Sequence, residues 1–239
     1  METLFPGATG QGMRVVVIDS GVNSRHPHIS GVAGGAWIHG PGEIENGSFE
    51  DVLGHGTAVM AAIQEKAPAA EYYAAKIFHD RLRTNSLTLI AAIDWALEMH
   101  ADAINLSLGT TNLNYASDFE RTMGRAQAAG VTVVSAREAN GVACLPGWVP
   151  GVIGVAPDQD CPRNRYRVAR VNSGMVYLAS PYPRTAPGIP VERNLNGISF
   201  AVANMTGFVL LVRETKPNED LSAVLAAEVQ DGLKIKETL

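Results

Sequence analysis

Alternation is what most restricts the fold of this chain. Short runs that are apolar on both faces take turns with segments whose apolar residues recur at helical spacing. The run at 14–18, Arg-Val-Val-Val-Ile, is almost wholly β-branched, which suits a strand covered on both sides. Segments 72–78, 103–108, 131–134 and 152–155 read as further strands. Between them a helix follows the Gly54-His55-Gly56 turn, with Val59 to Ala62 in its body. Ser86 caps another helix, with apolar positions Leu87, Ile90, Ala91 and Leu97. Ser117 with Glu120 forms a capping box that opens a third helix, stopped at Gly130.

Strand–helix alternation implies right-handed crossovers, hence a three-layer αβα fold with a mostly parallel central sheet and helices on both faces. Beyond Asp158 the pattern loosens into short strands near 168–171 and 175–178. A long helix then runs from Ser199 to about Glu214, and a last one from Asp220 to about Val229, with Asn218 or Glu219 near its start. No internal repeat or linker interrupts the chain, so residues 1–239 are expected to form a single domain with no prodomain.

Composition removes several functional classes. The net charge of −5 comes without a basic stripe or tail, which argues against a nucleic-acid partner. No uninterrupted apolar run approaches the roughly 20 residues of a membrane span, and the N-terminus lacks a basic region followed by an apolar core. The expectation is a soluble, cytoplasmic protein with no membrane partner. Cys144 and Cys161 are too few for a disulfide framework and read as two free thiols, with one bridge between them as the alternative.

In open parallel sheets, reactive groups gather where strands end and helices begin. Three segments put one there. Asp19 ends the first strand, before Ser20-Gly21. His55 sits between glycines at a helix start. Ser199, in Asn196-Gly-Ile-Ser-Phe-Ala201, opens the long apolar helix. A serine hydroxyl is a poor nucleophile until an imidazole removes its proton, and the imidazole needs a carboxylate to fix its tautomer and balance its charge. Each residue alone reads more blandly, as a turn residue, a structural histidine and a helix cap.

Taken together these segments resemble the subtilisin family of serine peptidases. Val-Val-Val-Ile-Asp19-Ser-Gly-Val with His26-Pro27 is similar to its aspartate motif, Gly54-His55-Gly56-Thr57 to its histidine motif, and Gly197-Ile198-Ser199-Phe200-Ala201 to its serine motif, with Ile198 where threonine is usual. The resemblance runs from about Arg14 to Glu214. It implies an Asp19, His55, Ser199 triad. It also implies that the segment Asp102-Ala-Ile-Asn105-Leu-Ser107-Leu108-Gly109 binds substrate as an added strand, through Ser107, Leu108 and Gly109.

The sequence departs from the family in places. An asparagine that donates to the oxyanion is usual in a segment aligned here with 133–141, where ungapped alignment on Gly141 puts Ala139 at that position and Asn140 one residue on. Either a bulge lets Asn140 serve, or the Ser199 backbone N–H acts without it, at a cost of about 3 kcal/mol, roughly a hundredfold in rate. Ala203 stands where proline is usual and Asn204 where histidine is common. The histidines outside the triad show no metal-ligand spacing and read as surface or turn residues. No metal site and no cofactor is evident, and calcium is left open. Trp37, Trp95 and Trp148 read as packing residues, with the lining of a substrate groove as the alternative for Trp148, and 141–150 as a loop bordering the specificity pocket.

The implied function is a serine endopeptidase acting through an acyl-enzyme on a peptide or precursor-protein substrate, with limited processing such as leader removal favoured over bulk digestion. Two alternatives stand beside it. One is a peptide macrocyclase or ligase in which an amine resolves the same acyl-enzyme. The other is a catalytically impaired peptide-binding module.

Overall fold

The computed structural model describes residues 4–139, 141–171, 174–185 and 194–229. In chain order its strands are β1 (Arg14–Asp19), β2 (Gly34–Gly40), β3 (Glu43–Asn46), β4 (Glu71–Lys76), β5 (Ala103–Leu106), β6 (Thr132–Ala136), β7 (Glu138–Ala139), β8 (Val142–Ala143), β9 (Ile153–Pro157), β10 (Tyr166–Val171) and β11 (Gly174–Ala179). A nine-stranded sheet in the order β10-β11-β9-β6-β5-β1-β4-β2-β3 forms the centre, and β7 and β8 make a separate hairpin. Every pairing from β11 through to β2 is parallel, and the two edge pairs, β10–β11 and β2–β3, are antiparallel.

Among the described residues five α-helices cover the sheet: α1 (His55–Gln64), α2 (Ser86–Glu98), α3 (Ala116–Ala128), α4 (Ile198–Thr215) and α5 (Leu221–Ala227). The period-two alternation of β1 divides the core between them. Val15 and Val17 pack with residues of α1, α4 and α5, while Val16 and Ile18 pack with residues of α2 and α3. All four side chains are buried, so the uniformly apolar run has an apolar partner on each side. The three-layer reading is correct. Among the described residues α4 is the one helix long and apolar enough to cross a membrane, yet 72% of it is buried within the protein. It is the central core helix.

Several local expectations move by a few residues. Asn85 caps α2, its side chain accepting from Thr88 N at 2.9 Å, and Ser86 becomes the first helical residue. Either type suits an N-cap, and the extended backbone falls at Asn85. The Ser117–Glu120 capping box does not form. A 3₁₀ turn, Leu113–Tyr115, begins the helical path earlier, which puts Ser117 inside α3. Asp220 caps α5, accepting from Ala223 N at 2.7 Å. The strand expected over 103–108 ends at Leu106. Strands β2 and β3 have no counterpart in the sequence reading. Glycines at 34, 35 and 40 and polar residues in Glu43–Asn46 hide the usual strand composition.

Candidate active site

The carboxyl ends of β1 and β5 deliver the reactive groups to one edge of the sheet. Asp19 closes β1 and is 1% exposed. Its Oδ1 accepts hydrogen bonds from Ser20 N at 2.7 Å and from His55 Nδ1 at 2.7 Å. Two glycines make this approach possible. A Cβ on Gly56 would lie 2.3 Å from the Gly21 carbonyl oxygen, and one on Gly21, whose φ is +97°, would lie 2.3 Å from the Phe49 carbonyl oxygen. The Asp-Ser-Gly and Gly-His-Gly segments are therefore two halves of one backbone contact, and side chains at either position would force His55 away from Asp19.

A second carboxylate holds the histidine loop. Asp51 Oδ1 accepts from Ser20 Oγ, Leu53 N and Gly54 N, each at 2.9 Å. Asp51 Oδ2 accepts from Thr57 N at 2.9 Å and Thr57 Oγ1 at 2.6 Å. Ser20 Oγ also accepts from Gly56 N at 2.8 Å. Asp51 thus splints the residues on both sides of His55 to the turn after Asp19. Nothing in the sequence distinguishes it from an ordinary polar turn residue.

Burial pushes the His55 pKa down, but the Asp19 hydrogen bond and charge, with Asp51 further off, outweigh it and leave the value raised. Asp19 Oδ2 has no hydrogen-bond donor among the described residues.

Ser199 lies in the first turn of α4. Its Oγ donates to the Ser107 carbonyl at 3.3 Å, and Ser107 Oγ donates in turn to the Ser199 carbonyl at 3.4 Å. Asn105, fully buried in β5, donates from Nδ2 to Ser107 Oγ at 2.9 Å and accepts from Thr206 Oγ1 at 2.9 Å, which locks this pair to α4. The next residue, Phe200, places its ring 5.8 Å from the His55 ring, centroid to centroid. The structure brings Asp19 and His55 into direct contact, and the residue after Ser199 reaches the His55 ring. No hydrogen bond joins Ser199 Oγ to His55 among the described residues, since the hydroxyl is turned to Ser107.

The sequence matches the subtilase family over residues 10–143, more than half of the chain. This chain belongs to the subtilase family. That membership makes it a serine-type endopeptidase of the subtilisin kind. It is 29% identical to Subtilisin BL from Lederbergia lenta over 232 residues, which cover 89% of this chain and 80% of the relative. It is 30% identical to a thermostable alkaline protease from Halalkalibacterium halodurans, covering 89% of this chain and 60% of that longer protein. Among solved structures, a cold-adapted subtilisin-like serine proteinase superposes with a TM-score of 0.72 at 18% identity, covering 95% of this chain and 88% of that one. The prenylagaramide maturation protease PagA superposes with a TM-score of 0.65 at 23% identity, covering 90% and 81%.

The remaining candidate residues of this subtilase are dispersed. Ser107, Leu108 and Gly109 leave the end of β5, and Thr110 exchanges two 2.9 Å backbone hydrogen bonds with Leu145. Asn140 lies outside the described residues. Trp148 is half-exposed, with the Arg137 guanidinium 4.3 Å above its ring. Cys144 and Cys161 form no disulfide and are buried, and burial pushes the Cys161 thiol up to about 11. Among the described residues no group of three or more His, Cys, Asp or Glu side chains is placed to hold a metal ion. His26 and His28, bland turn residues by their sequence, instead line a cleft beside His55.

Asn204 proves to be structural. Its Nδ2 donates to the Ser180 and Tyr182 carbonyls at 2.9 and 3.0 Å, and its Oδ1 accepts from the buried Lys66 Nζ at 2.5 Å. With Gly197 N donating to the Pro181 carbonyl at 2.9 Å, these bonds fix the start of α4, and so Ser199, against the 180–182 segment.

Proposed function

We propose that Asp19, His55 and Ser199 act as the catalytic triad and that the protein makes limited cuts in a precursor peptide. The observation that carries this reading is the 2.7 Å contact between His55 Nδ1 and a buried Asp19 carboxylate, with the Phe200 ring of the first turn of α4 5.8 Å from the His55 ring. Asp19 holds the imidazole with Nδ1 as its protonated nitrogen, which leaves Nε2 as the base. A rotation about the Ser199 Cα–Cβ bond exchanges the Ser107 carbonyl for Nε2. The hydroxyl proton passes to Nε2 as Oγ attacks the peptide carbonyl, and the imidazolium returns that proton to the departing amine. Water then repeats the sequence to release the acyl group.

Charge on the carbonyl oxygen develops beside the first turn of α4, where backbone N–H groups lack intrahelical acceptors, and the Ser199 N–H is one of them. Asn140 is the proposed side-chain donor. The acyl half of the substrate lies along Ser107, Leu108 and Gly109 as an added strand. Limited processing is supported by the likeness to PagA, a protease named for maturation of prenylagaramide.

The test is digestion of a proteome-derived peptide library, with products read by mass spectrometry. A narrow set of cleaved sequences, absent with Ser199→Ala, supports the reading. Cleavage without sequence restriction overturns limited processing, and cleavage that survives in the alanine variant overturns the triad. Products lighter than the hydrolysed peptide by one water identify a cyclase instead.

A further inference from the structure

A cleft of about 510 Å³ opens next to His55, bounded by Gly54 and Thr57 on either side of it and by Asn194 and Leu195 on the way to Ser199. None of the residues 107–109 lines it. Those residues extend β5, whereas the cleft is walled by the chain that follows β1, through Asn23, His26 and His28, and by Thr57, Ala58 and Ala61 of α1. The acyl half of a peptide laid on 107–109 therefore has no contact with the lining of the cleft. The leaving half, whose amine takes its proton from His55, is the half left to meet a cleft bounded by the neighbours of His55.

The charges in the cleft are unequal in availability. Among the described residues Asp51 is its one carboxylate, and both of its oxygens are engaged by the five donors of the histidine loop and Ser20. Arg184 is its one arginine among them. It donates from one terminal nitrogen to the His28 carbonyl at 3.3 Å and has no carboxylate partner among the described residues. A guanidinium carries five N–H donors, so this single bond anchors the group without using it up. His28 N donates to His26 Nδ1 at 3.2 Å, and the two rings meet edge to face at 5.2 Å, a fixed polar wall beside the arginine. Burial, and then the Arg184 charge, hold the His28 pKa below its usual value. Arg184 carries a permanent positive charge into the cleft. Val52 and Leu195, 69% and 59% exposed, form apolar lips.

We infer that this cleft is a subsite for a carboxylate on the leaving half of the substrate, bound by the Arg184 guanidinium. The inference rests on the triad reading for its orientation. An acidic side chain within the first three residues after the cut bond, or the terminal carboxylate of a short leaving peptide, presents the same chemistry. A planar guanidinium pairs with either through parallel N–H bonds.

Two measurements test it, one of which does not depend on turnover. In the first, a hexapeptide library is retained on immobilised Ser199→Ala protein and on the Ser199→Ala, Arg184→Gln double variant. Peptides with Glu or Asp should be enriched over their Gln or Asn counterparts roughly tenfold or more, the worth of a charge-assisted hydrogen bond, and the enrichment should vanish in the double variant. Equal retention overturns the subsite, whether or not the protein cleaves anything. In the second, quenched peptides with one acyl half carry Glu, Gln or Lys at the first, second or third position after the bond, with free or amidated C-termini. The Glu-to-Gln ratio in kcat/KM should exceed about ten at one position. It should fall to near one in Arg184→Gln, survive in Arg184→Lys and invert toward Lys in Arg184→Glu. A preference confined to free C-termini assigns the site to the terminal carboxylate. Cleavage with no acid preference refutes the subsite and leaves the peptidase reading standing. Acid-selective retention with no cleavage does the reverse.

Discussion

Replacing Lys66 by methionine tests the energetics of the core directly. Lys66 runs beneath α4, where a Cβ added to Gly207 would lie 2.7 Å from its Cδ, and its side chain is 8% exposed. The ammonium faces Asn204 Oδ1 at 2.5 Å, the Phe208 ring at 5.5 Å and Glu65 Oε2 at 3.8 Å, but Glu65 is shared with Arg163, which binds both of its oxygens. Burial, with the nearby Arg163 charge, pushes the Lys66 pKa from 10.5 down to about 7. That difference corresponds to about 5 kcal/mol between charged and neutral forms. Because the folded state gives up this proton first and the unfolded chain keeps it to 10.5, stability attributable to Lys66 is lowest below pH 7 and rises through the interval between. The slope is about 1.4 kcal/mol per pH unit. Methionine matches the length of the chain but cannot titrate, and it leaves Asn204 Oδ1 without its donor, a loss of about 1–3 kcal/mol at any pH. Guanidinium unfolding of Ser199→Ala protein, with and without Lys66→Met, cancels every other titrating group. The stability of the lysine form relative to the methionine form should grow by about 2–3 kcal/mol between about pH 7.5 and 9.5. Parallel curves across that range would refute the claim that the amine is buried at a cost.

Other consequences follow from the site. Because Asp19 keeps the His55 pKa raised, the acid limb of kcat/KM should have its midpoint above 6.5, and Asp19→Asn should move it downward while lowering the rate. The same contact stabilises the fold below the unfolded value near 6.5 and loses that contribution as pH rises through the raised one, so Asp19→Asn should destabilise most in acid. Asp51→Ala leaves five donors without their acceptor. It should lower stability by about 2–4 kcal/mol in chemical denaturation and kcat/KM by up to about a hundredfold, as the His55 loop loosens. Gly56→Ala puts a methyl group 2.3 Å from the Gly21 carbonyl oxygen and should cost about 3 kcal/mol, seen as a lowered Tm, with loss of activity.

How far the sequence speaks depends on whether a residue's partner is local. The run 14–18 is apolar at nearly every position because both faces of β1 are covered, so its place in the centre of a parallel sheet can be read directly. Asp19, His55 and Ser199 stand out because each abuts a turn or helix start with glycine close by. Strand β2 escapes a sequence reading because its glycines disguise it, and the α2 cap shifts by one residue because Asn85 and Ser86 are both competent caps. Asp51 and Asn105 are silent because their partners come from other segments of the chain. The Lys66–Asn204 contact spans 138 residues, and a lysine just past the end of an apolar helix reads from sequence as exposed. Such contacts become visible only when the sheet brings their elements together.

The central claim is that Ser199 is a nucleophile activated by His55 and Asp19. Treatment of the folded protein with a fluorophosphonate, followed by peptide mapping, measures it most directly. The account predicts a single adduct on Ser199, absent in Ser199→Ala and formed far more slowly in His55→Ala and Asp19→Asn. An adduct that persists in Ser199→Ala, or a folded wild-type protein that takes up no probe at all, contradicts it.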